Sequence, residues 1–330
     1  MKRREFLVGL GGAAVTWPVS ARAQKPAPMR RIGWLSSVPE DYPGMSANFA
    51  EFRKGLAEFG RVEGRNIRID YRWYAGDRAR LSNDAAELVG LSPDLIVANG
   101  GAAVGRLLDV TRTVPIVFVE VNDPVARGFV ESLRRSGGNA TGFTHLEYET
   151  SAKWPEMLKR IAPHLTRVAV LGNFSISVDG RRQLEAVRSA APSLSVQLEP
   201  YEVSTAGDVK RAIEGFVHGP TDGMIVTQNI QTVVHRDLIV QLAAEHRLPA
   251  IYSQRQFVVG GGLLSYAPSV ARQYLAAAGY VNRILNGEKP ADLPVQQPTK
   301  YELIINLRTA RTLGVDVPPT LLALADELIE

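Results

Sequence analysis

Six short clusters of small, hydrogen-bonding residues carry most of the chemistry this sequence offers. They are Ser36-Ser37, Asn99-Gly100-Gly101, Glu120-Val121-Asn122-Asp123, Asn173-Phe174-Ser175, Thr227-Gln228-Asn229 and Ser253-Gln254-Arg255. Each stands directly after a short apolar run. Side chains of these types donate and accept hydrogen bonds, which suits them to holding a polar solute. The competing reading is that Ser, Asn and Gly cap helices and make turns in every α/β chain. Any one cluster fits that reading; six in equivalent places favour a polar cleft. Arg255 offers a charge-assisted contact to a carboxylate, or is an ordinary surface arginine. Asp123, before Pro124, offers a carboxylate to an ammonium, or caps a helix. The N–H groups of Asn99-Gly100-Gly101 open a helix, where an anion gains about 0.3–1 kcal/mol. Phe174, Tyr252, Tyr266 and Trp34 line the cleft against an apolar ligand part, or belong to the core.

Signals for catalysis are weak. The five histidines are His145, His164, His218, His235 and His246, and none pairs with another at metal-binding spacing. His145 lies near an expected crossing between lobes and faces the cleft in that reading. There is no H-E-x-x-H, no G-x-S-x-G elbow and no P-loop. With no Cys, disulfides, thiolate metal sites and a cysteine nucleophile are excluded. The glycine run Gly9-Leu10-Gly11-Gly12 follows no strand of the mature chain, so it is no dinucleotide fingerprint. Neither a cofactor nor a metal is expected.

The elements that must position these clusters alternate between strand and helix. Expected strands are Arg31–Ser36, Asn66–Arg72, Asp94–Ala98 and Pro115–Val119, with helices over Ser46–Phe59 and Arg80–Val89. After the glycine-rich stretch Ser136–Thr144 the pattern restarts. Strands are expected at Arg167–Leu171, Ser195–Leu198, Asp222–Val226 and Pro249–Tyr252, with helices at Asp179–Ala190, Ala206–Phe216 and His235–His246. A long helix over Ser269–Asn286, a proline-punctuated connector and a late strand at Tyr301–Asn306 follow. This order predicts an α/β fold of two similar lobes, each a parallel sheet flanked by helices, joined by a hinge of several segments. The expected boundaries are 30–144 plus about 267–297 for one lobe, and 145–266 plus about 298–330 for the other. Ligands of open parallel sheets bind beyond the carboxyl ends of the strands, where the six clusters fall.

Residues 1–23 read as an export signal. Lys2-Arg3-Arg4-Glu5-Phe6-Leu7 is a twin-arginine start, an apolar run too short to span a bilayer follows, and Ala21-Arg22-Ala23 is a cleavage site. The general secretory route fits as well. With no Cys to carry a lipid, a soluble periplasmic protein is expected. The chain carries +4, of which the first 23 residues hold +3 (Lys2, Arg3, Arg4 and Arg22 against Glu5), which leaves about +1. No basic block reads as a nucleic-acid footprint.

The chain resembles the ABC-transporter substrate-binding proteins of the tryptophan/tyrosine-binding type, a branch with the type I periplasmic binding fold. The residues that carry the resemblance are Pro93–Val97 with Asn99–Ala103, Val114–Phe118 with Asn122–Val125, Gly137–Gly142, Ile284–Glu288 with Pro290, and Ile305–Ala310 before Leu313-Gly314. The resemblance implies a ligand clamped between two lobes and delivered to an inner-membrane permease driven by an ATPase. By position it places ligand contacts on Ser36, Asn99, Gly100, Asn122, Asp123, Asn173, Thr227 and Gln228. Where many members have Thr-Asp, this chain has Thr227-Gln228, which removes one partner for an amino-acid ammonium. The expected function is capture of a small organic ligand: an amino acid, an aromatic acid or another small carboxylate. Two other readings stand beside it, a ligand sensor for a membrane kinase and a secreted α/β enzyme.

Overall fold

A computed structural model describes residues 29–41, 44–145 and 148–330; the export-signal reading of residues 1–23 lies outside them. The first sheet holds β1 (Arg30–Ser36), β2 (Ile67–Trp73), β3 (Leu95–Asn99), β4 (Ile116–Val121) and β5 (Ala140–Thr144). Its order is β2-β1-β3-β4-β5 and every pairing is parallel. The second sheet holds β6 (Arg167–Gly172), β7 (Gln197–Glu202), β8 (Asp222–Val226), β9 (Ala250–Tyr252), β10 (Leu264–Pro268), β11 (Tyr301–Asn306) and β12 (Glu327–Ile329). Its order is β12-β11-β10-β9-β8-β6-β7.

One correction concerns this second sheet. It is not wholly parallel, because β11 runs antiparallel to β10. The chain leaves β10 for the first lobe and re-enters from the cleft side, so the returning strand points the other way.

The central strands are buried throughout, as in β3 (LIVAN) and β8 (DGMIV), because helices cover both sheet faces. The edge strand β2 (IRIDYRW) alternates instead. Neighbouring residues on β1 feed opposite cores. Trp34 packs with Phe49, Phe52 and Tyr274 on one face, while Leu35 packs with Ile96, Phe118 and Leu107 on the other. Tyr274 belongs to the helix Val270–Leu285, which packs beside Met45–Glu58 on the first sheet. The helix therefore belongs by packing to a sheet whose strands all precede residue 145.

Three segments pass between the sheets. β5 leads to the helix Tyr148–Ser151, β10 leads into Val270–Leu285, and the chain from Gln296 leads to β11. Gln296 is stitched to β5: its N–H donates to Gly142 O at 2.9 Å and its carbonyl accepts from Thr144 N at 2.8 Å. Two crossing segments thus lie side by side.

Candidate functional site

The carboxyl ends of β1, β3 and β4 converge on a hydrogen-bonded cluster. Asn99, the last residue of β3, is buried. Its Oδ1 accepts from Ser37 Oγ at 2.5 Å, and its Nδ2 donates to Glu120 Oε1 at 2.7 Å and to Tyr274 Oη at 3.1 Å. Tyr274 Oη also donates to Glu120 Oε1 at 3.2 Å. Glu120 lies within a register shift between Phe118 and Val121 and takes a left-handed φ of 55°. A bulky residue enters that region at a cost of about 1 kcal/mol or more. Burial pushes its carboxyl up to about 7, against the hydrogen bonds from Tyr274 and Asn99 that favour the charged form.

The cluster extends to the crossing between lobes. Glu120 N–H donates to Gln273 Oε1 at 3.1 Å, and Gln273 Nε2 lies 3.0 Å from His145 Nδ1. A backbone N–H only donates, so it fixes the amide with Oε1 toward Glu120. That turns the Gln273 NH2 toward His145, whose Nδ1 must then accept. His145 is fully buried, and burial holds its imidazole down to about 4. The ring is neutral at pH 7 with its proton on Nε2, and that nitrogen has no partner among the described residues.

His145 lines a cavity of about 310 Å³ between the lobes. From the first lobe come Gly44, Asn48 and Glu51, at the start of the helix after β1. Ser253, Arg255 and Glu302 come from the second, and Ser265 from the strand that crosses back. Ser253 and Ser265 are buried, and each hydroxyl lacks a partner among the described residues. Three residues whose neutral polar groups have no partner among the described residues thus line one cavity of the size that small organic molecules occupy.

The lobes touch along the cleft. A Cβ on Gly44 would lie 2.5 Å from Gln256 Nε2, and its φ of 94° already suits glycine. Ile230 lies against Gly76. At the other rim Arg127 of the first lobe pairs with Asp179 of the second at 2.5 Å, and Arg182 of the second pairs with Asp123 of the first. Tyr148 donates to Asp179, and the Arg182 guanidinium lies 5.3 Å over the Tyr148 ring. The two pairs are reciprocal: each lobe supplies one cation and one anion.

The expected site residues fall in several places. Ser37 and Asn99 belong to the cluster; Ser36, the last residue of β1, is buried and exchanges hydrogen bonds with Val38 in the turn that follows. Arg255 alone of the twelve lines the cavity, and its guanidinium is already bidentate to Glu327 at 2.6 and 2.8 Å. Gly100 is corrected: its N–H is bonded to Val119 O at 3.0 Å, and the Arg127 guanidinium covers the next residue, so this helix start meets a cation and not an anion. Asp123 is also corrected, since its carboxylate caps Ala126 N and pairs with Arg182. Asn122 is buried and its carbonyl accepts from Arg127 Nε.

In the second lobe the polar clusters mostly serve their own turns. Thr227 Oγ1 donates to Leu171 O, Asn173 bonds Ser204 and Ile176 N, and the exposed Ser175 donates to Glu202. Gln228 exchanges backbone bonds with Gln183, while its own Oε1 is buried without a partner among the described residues. Tyr266 does not line the cavity. It stacks on Tyr301 at 5.6 Å, and Lys153 lies over its ring, on the other face of β10 from Ser265. Phe174, Tyr252 and Trp34 are core. Sequence reasoning had Ser253 within a polar cluster, but missed Glu120 as the centre of the hydrogen-bonded cluster, along with Gln273, Tyr274 and Ser265. A Gln-Tyr pair on an otherwise apolar helix face was the available signal for two of them.

The comparisons agree with this architecture. A family model described as ABC transporter substrate binding protein matches residues 37–329. The tyrosine-binding protein of Clostridioides difficile (strain R20291) is 27% identical over 275 residues, covering 83% of this chain and 79% of that protein. Among solved structures, the ABC domain in complex with L-Trp from Streptococcus pneumonia superimposes with a TM-score of 0.82 at 23% identity, covering 91% of this chain and 100% of that one. A conserved domain protein from Vibrio cholerae gives 0.82 at 25% identity, with 91% and 99% covered. A ligand-free, open substrate binding protein from Clostridium difficile gives 0.68 at 24% identity, again with 91% and 99% covered.

Proposed function

This chain belongs to the ABC transporter substrate binding protein family, and we propose that it captures a small organic solute in the cavity between its lobes. The observation that carries the proposal is that cavity of about 310 Å³, walled by both lobes and lined by residues whose buried polar groups have no partner among the described residues. A solute that bridges the lobes stabilises the shut form by the contacts it makes only there. Micromolar affinity requires about −8 kcal/mol, within reach of several hydrogen bonds and one buried apolar group after association costs. The cleft-spanning contacts place the present form at the shut end. The TM-score is also higher against the L-Trp complex than against the ligand-free, open relative, at nearly equal identity.

Aromatic amino acids are the first solutes to test, because a tyrosine-binding protein and an L-Trp complex stand among the relatives. The first 23 residues support export, so we place capture in the periplasm and delivery at an inner-membrane permease with its ATPase. Thermal-shift screening of the protein against amino acids, aromatic acids and small carboxylates tests the reading. A true solute raises the melting temperature by mass action. Turnover of a bound compound, with no compaction of the molecule, would overturn it.

A further inference from the structure

We propose that His145, Ser253 and Ser265 form a neutral donor subsite that receives the carboxylate of the bound solute. The inference rests on the solute-capture reading above and adds which end of the solute lies where. The tautomer argument supplies the first donor. Gln273, oriented by Glu120 N–H, places an N–H on His145 Nδ1, so the imidazole proton sits on Nε2. That N–H is buried without a partner among the described residues. An unmade hydrogen bond there costs free energy that an incoming oxygen removes. Ser253 and Ser265 line the same cavity with hydroxyls in the same condition.

Charge around the cavity decides the rest. Among the described residues that line it, Arg255 is the one cation, and two of its donors are held by Glu327. Glu327 already neutralises that guanidinium, so the buried uncharged donors are the groups that gain a partner only when a carboxylate arrives. Charge-assisted hydrogen bonds of this kind are roughly twice as strong as neutral ones. Glu51 and Glu302 line the same cavity, loosely paired with Lys54 at 3.5 Å and Arg272 at 3.8 Å, and as two anions beside one lining cation they favour a cationic group at the other end of the solute. A zwitterion fits this division, and an amine lacking the carboxylate leaves the three donors unmet.

The test uses the full purified protein and four probes: L-tyrosine, L-tryptophan, tyramine and tryptamine. Nitrogen NMR of 15N-labelled imidazole, assigned by comparison with His145→Asn, reads the tautomer directly. The expected spectrum is a neutral ring protonated on Nε2; a ring protonated on Nδ1, or a charged ring at pH 7, overturns the subsite whichever solute the protein takes. In calorimetry, each amino acid should bind at least tenfold more tightly than its amine. His145→Asn keeps an acceptor oxygen for Gln273, while its shorter amide no longer presents an N–H at the Nε2 position. It should weaken amino-acid binding about tenfold or more, as should Ser253→Ala with Ser265→Ala, while melting curves show folded protein. Equal binding of amine and amino acid, or unchanged affinity in folded variants, overturns the subsite. If none of the four probes binds the unaltered protein, the amino-acid reading of the previous subsection fails, and the imidazole spectrum still decides the subsite.

Discussion

Glu120 and His145 set opposing pH responses within one hydrogen-bonded chain. Glu120 titrates higher in the folded protein than its ordinary value, so its contribution is complete below about 4.5 and is lost as pH rises through about 7. His145 titrates lower, so its contribution is complete above about 6.5 and is lost as pH falls through about 4. Over the shared window the two slopes oppose each other, and the unaltered protein should show a nearly level stability profile there. Glu120→Gln keeps an acceptor for Asn99 and Tyr274 and removes one slope. We expect it to gain on the order of 2 kcal/mol relative to the unaltered protein at pH 8, and little at pH 4, measured by urea unfolding. Asn99→Ala should weaken solute binding and lower the melting temperature, because it takes a donor from a buried carboxylate. Arg255→Ala, by contrast, breaks an exposed pair and should cost less than about 1 kcal/mol of stability. Much at this scale was not legible in the sequence. Asn99 stood out by its place after a strand, whereas Glu120 acquires its role from a bulge and from a tyrosine 154 positions away, which no local pattern reveals.

The elements were legible wherever apolar runs and helical spacing were clean. The helix Ala206–Phe216, with its Thr205–Asp208 capping box, has the same ends in sequence and structure. β5 was missed because Ala140–Thr144 carries a glycine and follows others, and reads as a loop. It is a strand because its neighbour β4 and the passing Gln296 satisfy its backbone from either side. β12 is three residues long and has no pattern to detect. The reciprocal ion pairs between the loop after β4 and the helix Val178–Ala190 act as a clasp of two elements. These groups are half-buried, so the clasp contributes about 1–2 kcal/mol to the shut form and weakens with salt. Arg182→Ala should raise the solute dissociation rate by about threefold to tenfold in stopped-flow fluorescence, with the melting temperature of the solute-free protein nearly unchanged.

For the whole molecule, two lobes of one plan followed from the restart of the strand–helix pattern after residue 144. That the cleft is shut, and where its cavity lies, did not follow, because both depend on contacts such as Gly44 with Gln256 that join distant parts of the chain. Gly44→Val tests this level. A branched side chain at a left-handed φ strains the turn, and the same side chain meets the opposite lobe. The variant should scatter X-rays as a more open particle and bind solute at least tenfold more weakly, with each lobe still folded. A profile identical to that of the unaltered protein would show that the lobes do not close on this contact.

The helix Val270–Leu285 has a consequence for how the protein is made. A ribosome that has just delivered β5 has completed a five-stranded sheet with one apolar face covered only in part, by the helix Met45–Glu58. Trp34 and Val97 on that face, and Phe52 on the helix, wait for Tyr274 and Val281, which are translated only after most of the other lobe. Newborn chains therefore need shelter, and a gene cut at the first crossing should produce an aggregating fragment and not an autonomous half-protein.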